Sequence, residues 1–410
     1  MTSRGARRGK NGARLPPGPP GLPLLGNLLL LRRSPSDVEA VLRRLVARHG
    51  PVVSLRVGST LLIFIADRRL AHAALVGSGA ALADRPAVAR ALLGESDNTI
   101  SRSSYGPVWR LLRRNLVAET LHPSRVRLFA PARAWVRREL AETLGREAEE
   151  ARERARAPPP VMEVFRHAMF CLLVLMCFGE RLDEPAHAWL MFAFWPALTR
   201  ILLRGRLQKG LDTRRRQKEL FVPLIEARRE RKKQLSSQGG GGAAAPEKET
   251  TFEHSYVDTL LDIRLPDEGN RALTDDEMAN LCSGFLTAGT DTTSTALQWI
   301  MAELVKNPAI QEKLYSEIKA TCGDEQEEVG EEDTHRMPYL KAVVLEGLRR
   351  HPPAHFLLAH KAAEDIEVGG YLIPKGATVD FTVAEMGRDE REWDRPMEFV
   401  PERFLKGGDG

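Results

Sequence analysis

A mainly α-helical fold with a small β portion is predicted by three features of this 410-residue sequence. A capped, apolar-periodic pattern opens at Thr274 and stops at Asn307-Pro308, giving a helix of about 30 residues and roughly 45 Å. Helical periodicity also dominates from Trp109 through residue 235. The β-rich runs are few and short, in residues 52–66 and 356–382. The length allows one large domain or two to three ordinary ones, and a hydrophobic content of 43% supports a real core. The net charge of +5, from 60 Lys+Arg against 55 Asp+Glu, suits an acidic partner or membrane surface. Its cations are not interleaved with aromatics, so nucleic-acid binding is not indicated.

Residues 1–15 hold Arg4, Arg7, Arg8, Lys10 and Arg14 without an acid, a basic arm or the remnant of a targeting segment. The Leu15-Pro-Pro-Gly-Pro-Pro-Gly21 run then reads as a rigid entry to the folded body. A helix is expected near residues 35–49, and Gly58-Ser59-Thr60 separates two β-rich runs that read as a hairpin. Residues 189–195, with Ile201, Leu202 and Leu203, form an apolar patch that is either core or a membrane-interface surface. Residues 238–245 read as a flexible low-complexity loop. Residues 308–321 form a further helix, and the acidic run 324–333 is expected to be a solvated turn. Pro352-Pro353 stops a helix over 338–351. Residues 356–358, 366–368, 371–373 and 378–382 read as strands, with Gly369-Gly370 as a turn. The four cysteines, Cys171, Cys177, Cys282 and Cys322, lack CxxC spacing and read as reduced, mostly buried thiols. No stretch approaches the roughly 18 uninterrupted apolar residues of a membrane span. The best candidate, residues 22–31, is broken by Pro23, Gly26 and Asn27.

The middle of the long helix breaks local rules. Gly289 costs about 1 kcal/mol relative to Ala, and Thr290, Thr292, Thr293 and Thr295 are β-branched. Their hydroxyls can bond carbonyls of the preceding turn, and Asp291 sets an acid beside them. Such a stretch is either a gap that admits a small molecule and relays protons, or a polar kink in a buried helix. Trp109 and Arg113, one turn apart, can clamp an anion between indole N–H and guanidinium, or be a packed Trp with a surface Arg. Glu346 and Arg349 stand at i and i+3, and a buried pair of this kind needs a second cation or backbone partners.

Taken in order, Ala288-Gly-Thr-Asp-Thr-Thr293, Glu346-x-x-Arg349 before His351-Pro-Pro, and Pro401-Glu-Arg-Phe404 resemble the cytochrome P450 superfamily. The proline-rich entry and Trp109-x-x-x-Arg113 match too, and residues 355–360 and 369–378 are most similar to the plant microsomal type. The resemblance covers residues 16–410, with 1–15 as a leader, and implies a haem between the long helix and a proximal loop. It implies that Asp291 and Thr292 deliver protons to dioxygen and that Ala288 and Gly289 leave room for it. Trp109, Arg113 and His360 match positions that contact the haem propionates. Glu346, Arg349 and Arg403 would form a structural triad. Phe285, Ala288, Phe356, Leu357 and the loop over 92–106 would line the pocket.

By the same resemblance, the activity is monooxygenation of a lipophilic small molecule with O2 and electrons from an NADPH-dependent reductase, as in secondary metabolism. The implied location is the cytosolic face of the endoplasmic reticulum membrane, or the cytoplasm where no anchor is present. The family's Phe-x-x-Gly-x-Arg-x-Cys haem loop is not met before Gly410, and no cysteine stands in a comparable context. On that ground the chain is expected to be truncated and inactive as written, with no metal ligand, because the thiolate enables O–O cleavage. The alternative reading is a haem-free remnant or an apolar-ligand-binding protein.

Overall fold

The computed structural model describes residues 13–27, 30, 35–86, 99–101, 103–153, 160–180, 206–237, 254–323 and 329–405. Most of the basic leader, the patch at 189–195 and 201–203, the loop 238–245, and residues 92–98, 102 and 324–328 lie outside these. The first elements are α1 (Pro35–His49), β1 (Val52–Val57), β2 (Thr60–Ile65), α2 (Arg68–His72), α3 (Pro107–Leu116) and α4 (Pro123–Leu128). They are followed by α5 (Ala130–Glu153), α6 (Val161–Phe178), α7 (Arg206–Ser237) and α8 (Tyr256–Leu261). Next come β3 (Arg264–Leu265), β4 (Arg271–Ala272), α9 (Asp275–Lys306), α10 (Pro308–Cys322), α11 (Glu331–Thr334) and α12 (Pro338–Arg350). The last are β5 (His360–Lys361), β6 (Ile366–Val368), β7 (Tyr371–Ile373), β8 (Thr378–Phe381) and α13 (Val383–Met386). Two compact units result, Met1–Ala89 with Met337–Gly410, and Arg90–Arg336.

The first unit is built on a sheet of order β1-β2-β8-β5. The hairpin expected at residues 52–66 forms, with Val52 opposite Ile65 and Val57 opposite Thr60. Gly58 takes φ +57° in its turn, a region open to a residue without Cβ. β8 joins β2 in parallel, Ile63 against Val379, and Val52, Ile63, Ile65, Val379 and Phe381 are buried together. Burying each such side chain contributes about 1.5–3 kcal/mol. Gly369 and Gly370 close the β6–β7 hairpin as the sequence suggests. Residues 356–358, however, are not a strand. The Leu358 and Ala359 carbonyls accept from Arg85 Nη1 at 3.0 and 3.1 Å, which diverts them from any ladder.

In the second unit α9 is a continuous 32-residue helix, and Thr274 and Glu277 form the expected capping box. It packs on α6 and α7, and α6 packs also on α5. Phe170, Val174, Cys177, Tyr256, Leu281 and Cys282 lie in the resulting core. α6 is 18 residues long at mean hydropathy 1.9, long and apolar enough to cross a membrane by length and composition only. Glu163, Arg166 and His167 hid it from a search for uninterrupted apolar runs. Half of it is buried in the unit, as suits a helix apolar on most sides and packed between two others. The acidic run is also not wholly solvated. Asp333 is buried, accepts from the Gly330 N–H at 2.8 Å and pairs with Arg336, while Glu331 pairs with Arg133. Carboxylates at a helix start find backbone donors and cations there, and Arg133 holds the Glu331 carboxyl below its usual range.

Candidate functional site

The anomalous stretch of α9 keeps its helical geometry, and its hydroxyls fold back onto it. Thr292 Oγ1 donates to the Ala288 carbonyl at 2.6 Å, Ser294 to Thr290 at 2.6 Å, and Thr295 to Asp291 at 2.7 Å. This is the back-bonding expected of such residues. Thr287, Ala288, Asp291 and Thr292 are exposed along one stripe at helical spacing. Asp291 Oδ1 lies 2.9 Å from Arg166 Nε of α6, a cation the motif search passed over. The signal for it was present, since a lone arginine on an otherwise apolar helix must find a counter-charge or water.

Gly289 does not leave room for a small molecule. A Cβ built there would stand 2.7 Å from Leu173 Cδ1, so the space is filled by α6 approaching α9. Ala288 is exposed on the same stripe. Phe285 is half-buried and stacks on Tyr256 at 5.1 Å, which makes it part of the core wall.

On α3 the two donors of the expected anion clamp are engaged differently. Trp109 Nε1 donates to the Ile100 carbonyl at 2.9 Å, because a turn in which Ser103 N–H bonds Thr99 O brings that carbonyl into reach. The guanidinium of Arg113 is exposed and has no ion pair among the described residues. Two clefts of about 570 and 610 Å³ lie elsewhere on this unit, along α7 and α8 and beside α3, and include none of these residues.

In the first unit Glu346 is fully buried and gathers both arginines of the motif. Its Oε2 accepts from Arg349 Nε at 2.7 Å. Its Oε1 accepts from Arg349 Nη2 at 2.7 Å, Val400 N–H at 2.8 Å and Arg403 Nε at 3.4 Å. Arg349 spends its other donors on the Gly387, Pro396 and Glu398 carbonyls and stacks over Trp393 at 5.2 Å. The partners a buried pair requires are therefore all present. Phe356 meets Phe64 edge-on at 6.3 Å, and Leu357 is exposed. His360 Nδ1 stands 2.7 Å from the Leu82 carbonyl, and burial, aided by Arg85, lowers its pKa.

The fit of a haem to these residues can be judged at α9. The exposed stripe is small and polar, and a Cβ added at Gly284, one turn before Ala288, would meet no atom within 4 Å. That face suits a planar ring. The thiols do not share it. Cys177 and Cys282 are wholly buried in the core, and burial with the neighbouring Cys282 thiol raises Cys177 well above its ordinary pKa. Burial pushes Cys171 up to about 12, and a thiol so raised stays protonated rather than ligating as thiolate.

Comparison with known proteins agrees with this geometry. The family profile described as Cytochrome P450 matches residues 16–409. Cytochrome P450 89A9 of Arabidopsis thaliana is 41% identical over 423 residues, covering 97% of this chain and 78% of the relative. Tryptamine 5-hydroxylase of Oryza sativa subsp. japonica is 31% identical over 419 residues, covering 97% of this chain and 76% of its own. Among solved structures, retinoic acid-bound cyanobacterial CYP120A1 shares the fold at TM-score 0.75 and 22% identity, with 97% of this chain and 83% of that one covered. The chain belongs to the cytochrome P450 family, whose broad role is haem-thiolate monooxygenation.

Proposed function

We propose that this chain forms the oxygen-side wall of a monooxygenase site that inserts one oxygen atom into a lipophilic small molecule. The observation that carries the reading is the exposed stripe of α9, with Asp291 held by Arg166 beside the hydroxyl of Thr292. When bound, haem supplies the activation of dioxygen. Thr292 commits its proton to the Ala288 carbonyl, so its oxygen is free to accept a hydrogen bond on the open face. Asp291, more than half exposed, is the acid that would hand on protons from solvent at that face, and the Thr292 oxygen would orient the group that receives them. In the second unit Arg113 would hold a propionate, while the N–H of Trp109 is engaged with Ile100, and in the first unit His360 would hold such an anion. Phe356 and Leu357 in the first unit would supply apolar contact to the substrate, and Phe285 in the second is core wall. Electrons come from an NADPH-dependent reductase, and a net charge of +5 suits an acidic partner. A cytosol-facing endoplasmic reticulum membrane and a role in secondary metabolism complete this reading, which the plant origin of the relatives supports.

A second reading, a haem-free protein that binds apolar small molecules, is favoured by the burial of Cys171, Cys177 and Cys282. A reduced carbon-monoxide difference spectrum of the haem-reconstituted chain separates the two. A thiolate-type Soret band, with product formed under reductase and NADPH and reduced coupling in Asp291→Asn and Thr292→Ala, is the result expected of a monooxygenase. A chain that retains no haem, or gives a histidine-type band, removes that reading.

A further inference from the structure

We propose that Arg85 is a positioning residue for His360, fixing the chain before β5 so that the imidazole meets a ligand only through Nε2. The inference borrows from the proposed function the view that His360 meets an anion; the geometry itself is local to the first unit.

Residues 81–85 run beside residues 358–363 and hold them at successive points. The Ala363 N–H bonds the Ala81 carbonyl at 2.8 Å, and the Lys361 N–H bonds the Asp84 carbonyl at 2.8 Å. Lys361 Nζ lies 3.1 Å from Asp84 Oδ2. Arg85 completes the series by donating from one nitrogen to the Leu358 and Ala359 carbonyls. Between these ties His360 Nδ1 faces the Leu82 carbonyl at 2.7 Å. A carbonyl only accepts, so Nδ1 carries the proton and the neutral ring keeps its lone pair on Nε2. Nε2 has no partner among the described residues, and Phe381 stands edge-on to the ring at 5.8 Å.

The charges around the ring come from both neighbouring segments. Asp84 and Lys361 are paired with each other, and Asp380 lies one residue along β8 from Val379, the partner of His360. Arg85 gives Nη1 to backbone carbonyls, and its Nε is buried without a partner among the described residues. Burial favours the neutral ring, and the Arg85 charge, partly offset by Asp84, adds to that effect. An anion can accept a hydrogen bond from Nε2 only if the ring gains a proton. Arg85 thus sets both the orientation of His360 and a proton requirement for anion docking.

Histidine C2–H exchange read by mass spectrometry reports the titration midpoint of each imidazole in the intact chain, without any activity assay. In Arg85→Gln the His360 midpoint should rise by about half a unit or more, the size of effect a nearby cation exerts. Arg85→Lys keeps the charge and loses the paired carbonyl bonds. It should leave the midpoint near that of the parent while amide exchange over residues 358–361 quickens. An unchanged midpoint in Arg85→Gln, or unchanged amide exchange in Arg85→Lys, overturns the assignment. Haem added to the parent chain should raise the His360 midpoint. If haem has no such effect while Arg85→Gln does, positioning by Arg85 stands and the anion-meeting role of His360 falls.

Discussion

Arg166 Nε stands 2.9 Å from Asp291 Oδ1, joining the one guanidinium of an apolar helix to the acid of the rule-breaking turn. The side chains are 23% and 56% exposed, so the pair is partly wet and modest in energy. Arg166→Gln should cost about 0.5–1 kcal/mol in urea unfolding. Its larger effect should fall on proton delivery, seen as lower product yield per NADPH. A loss of several kcal/mol in stability would instead mark Arg166 as a core residue with no special tie to Asp291.

Glu346 occupies the opposite regime. It is fully buried, and Arg349 is nearly so. Glu346→Gln removes the charge that two guanidiniums share while keeping the shape. Breaking a buried network of this kind typically costs about 3–5 kcal/mol, and urea unfolding should show it. A change under about 1 kcal/mol would mean that the backbone carbonyls alone satisfy Arg349.

Gly289→Ala tests whether the close approach of Leu173 is the reason for that glycine. Helix propensity alone predicts a gain of about 1 kcal/mol. Overpacking against Leu173 should turn this into a net loss of about 1–2 kcal/mol. Adding Leu173→Ala should recover at least about 0.5 kcal/mol relative to the sum of the single changes. Additive losses would exclude the contact as the cause.

Burial pushes the Asp380 carboxyl up to about 6 from an ordinary 3.8, while its bond from the Phe381 N–H opposes the rise. A raised acid contributes its stability below the unfolded value and loses it as pH climbs through the folded one. The folded chain should therefore weaken between about pH 4 and 6 on account of this group. Asp380→Asn, which retains the acceptor for Phe381, should be more stable than the parent by about 2–3 kcal/mol at pH 8. That advantage should vanish below about pH 4, as thermal melts across the range would reveal.

What sequence made legible was whatever is local. The capping box at Thr274, the stop at Pro308, both glycine-bearing hairpins and the Glu346–Arg349 spacing are each set within a few residues. What stayed hidden depends on partners far along the chain. Leu173 fills the space beside Gly289, Arg166 finds Asp291, and Arg85 takes the carbonyls of residues 358 and 359. The Trp109 N–H is a case between these. Its acceptor, Ile100, is only nine residues back, but no spacing rule points to it.

The three hydroxyl bonds of α9 carry one more consequence. The carbonyls of Ala288, Thr290 and Asp291 each serve a side-chain donor as well as the ladder. An acceptor shared in this way holds its amide less tightly. This 32-residue helix should therefore be loosest near its centre, where the amides of residues 292, 294 and 295 exchange with solvent before those one turn to either side. Its capped start and yielding middle make it a leaf spring, with the give beside the proposed acid–alcohol pair.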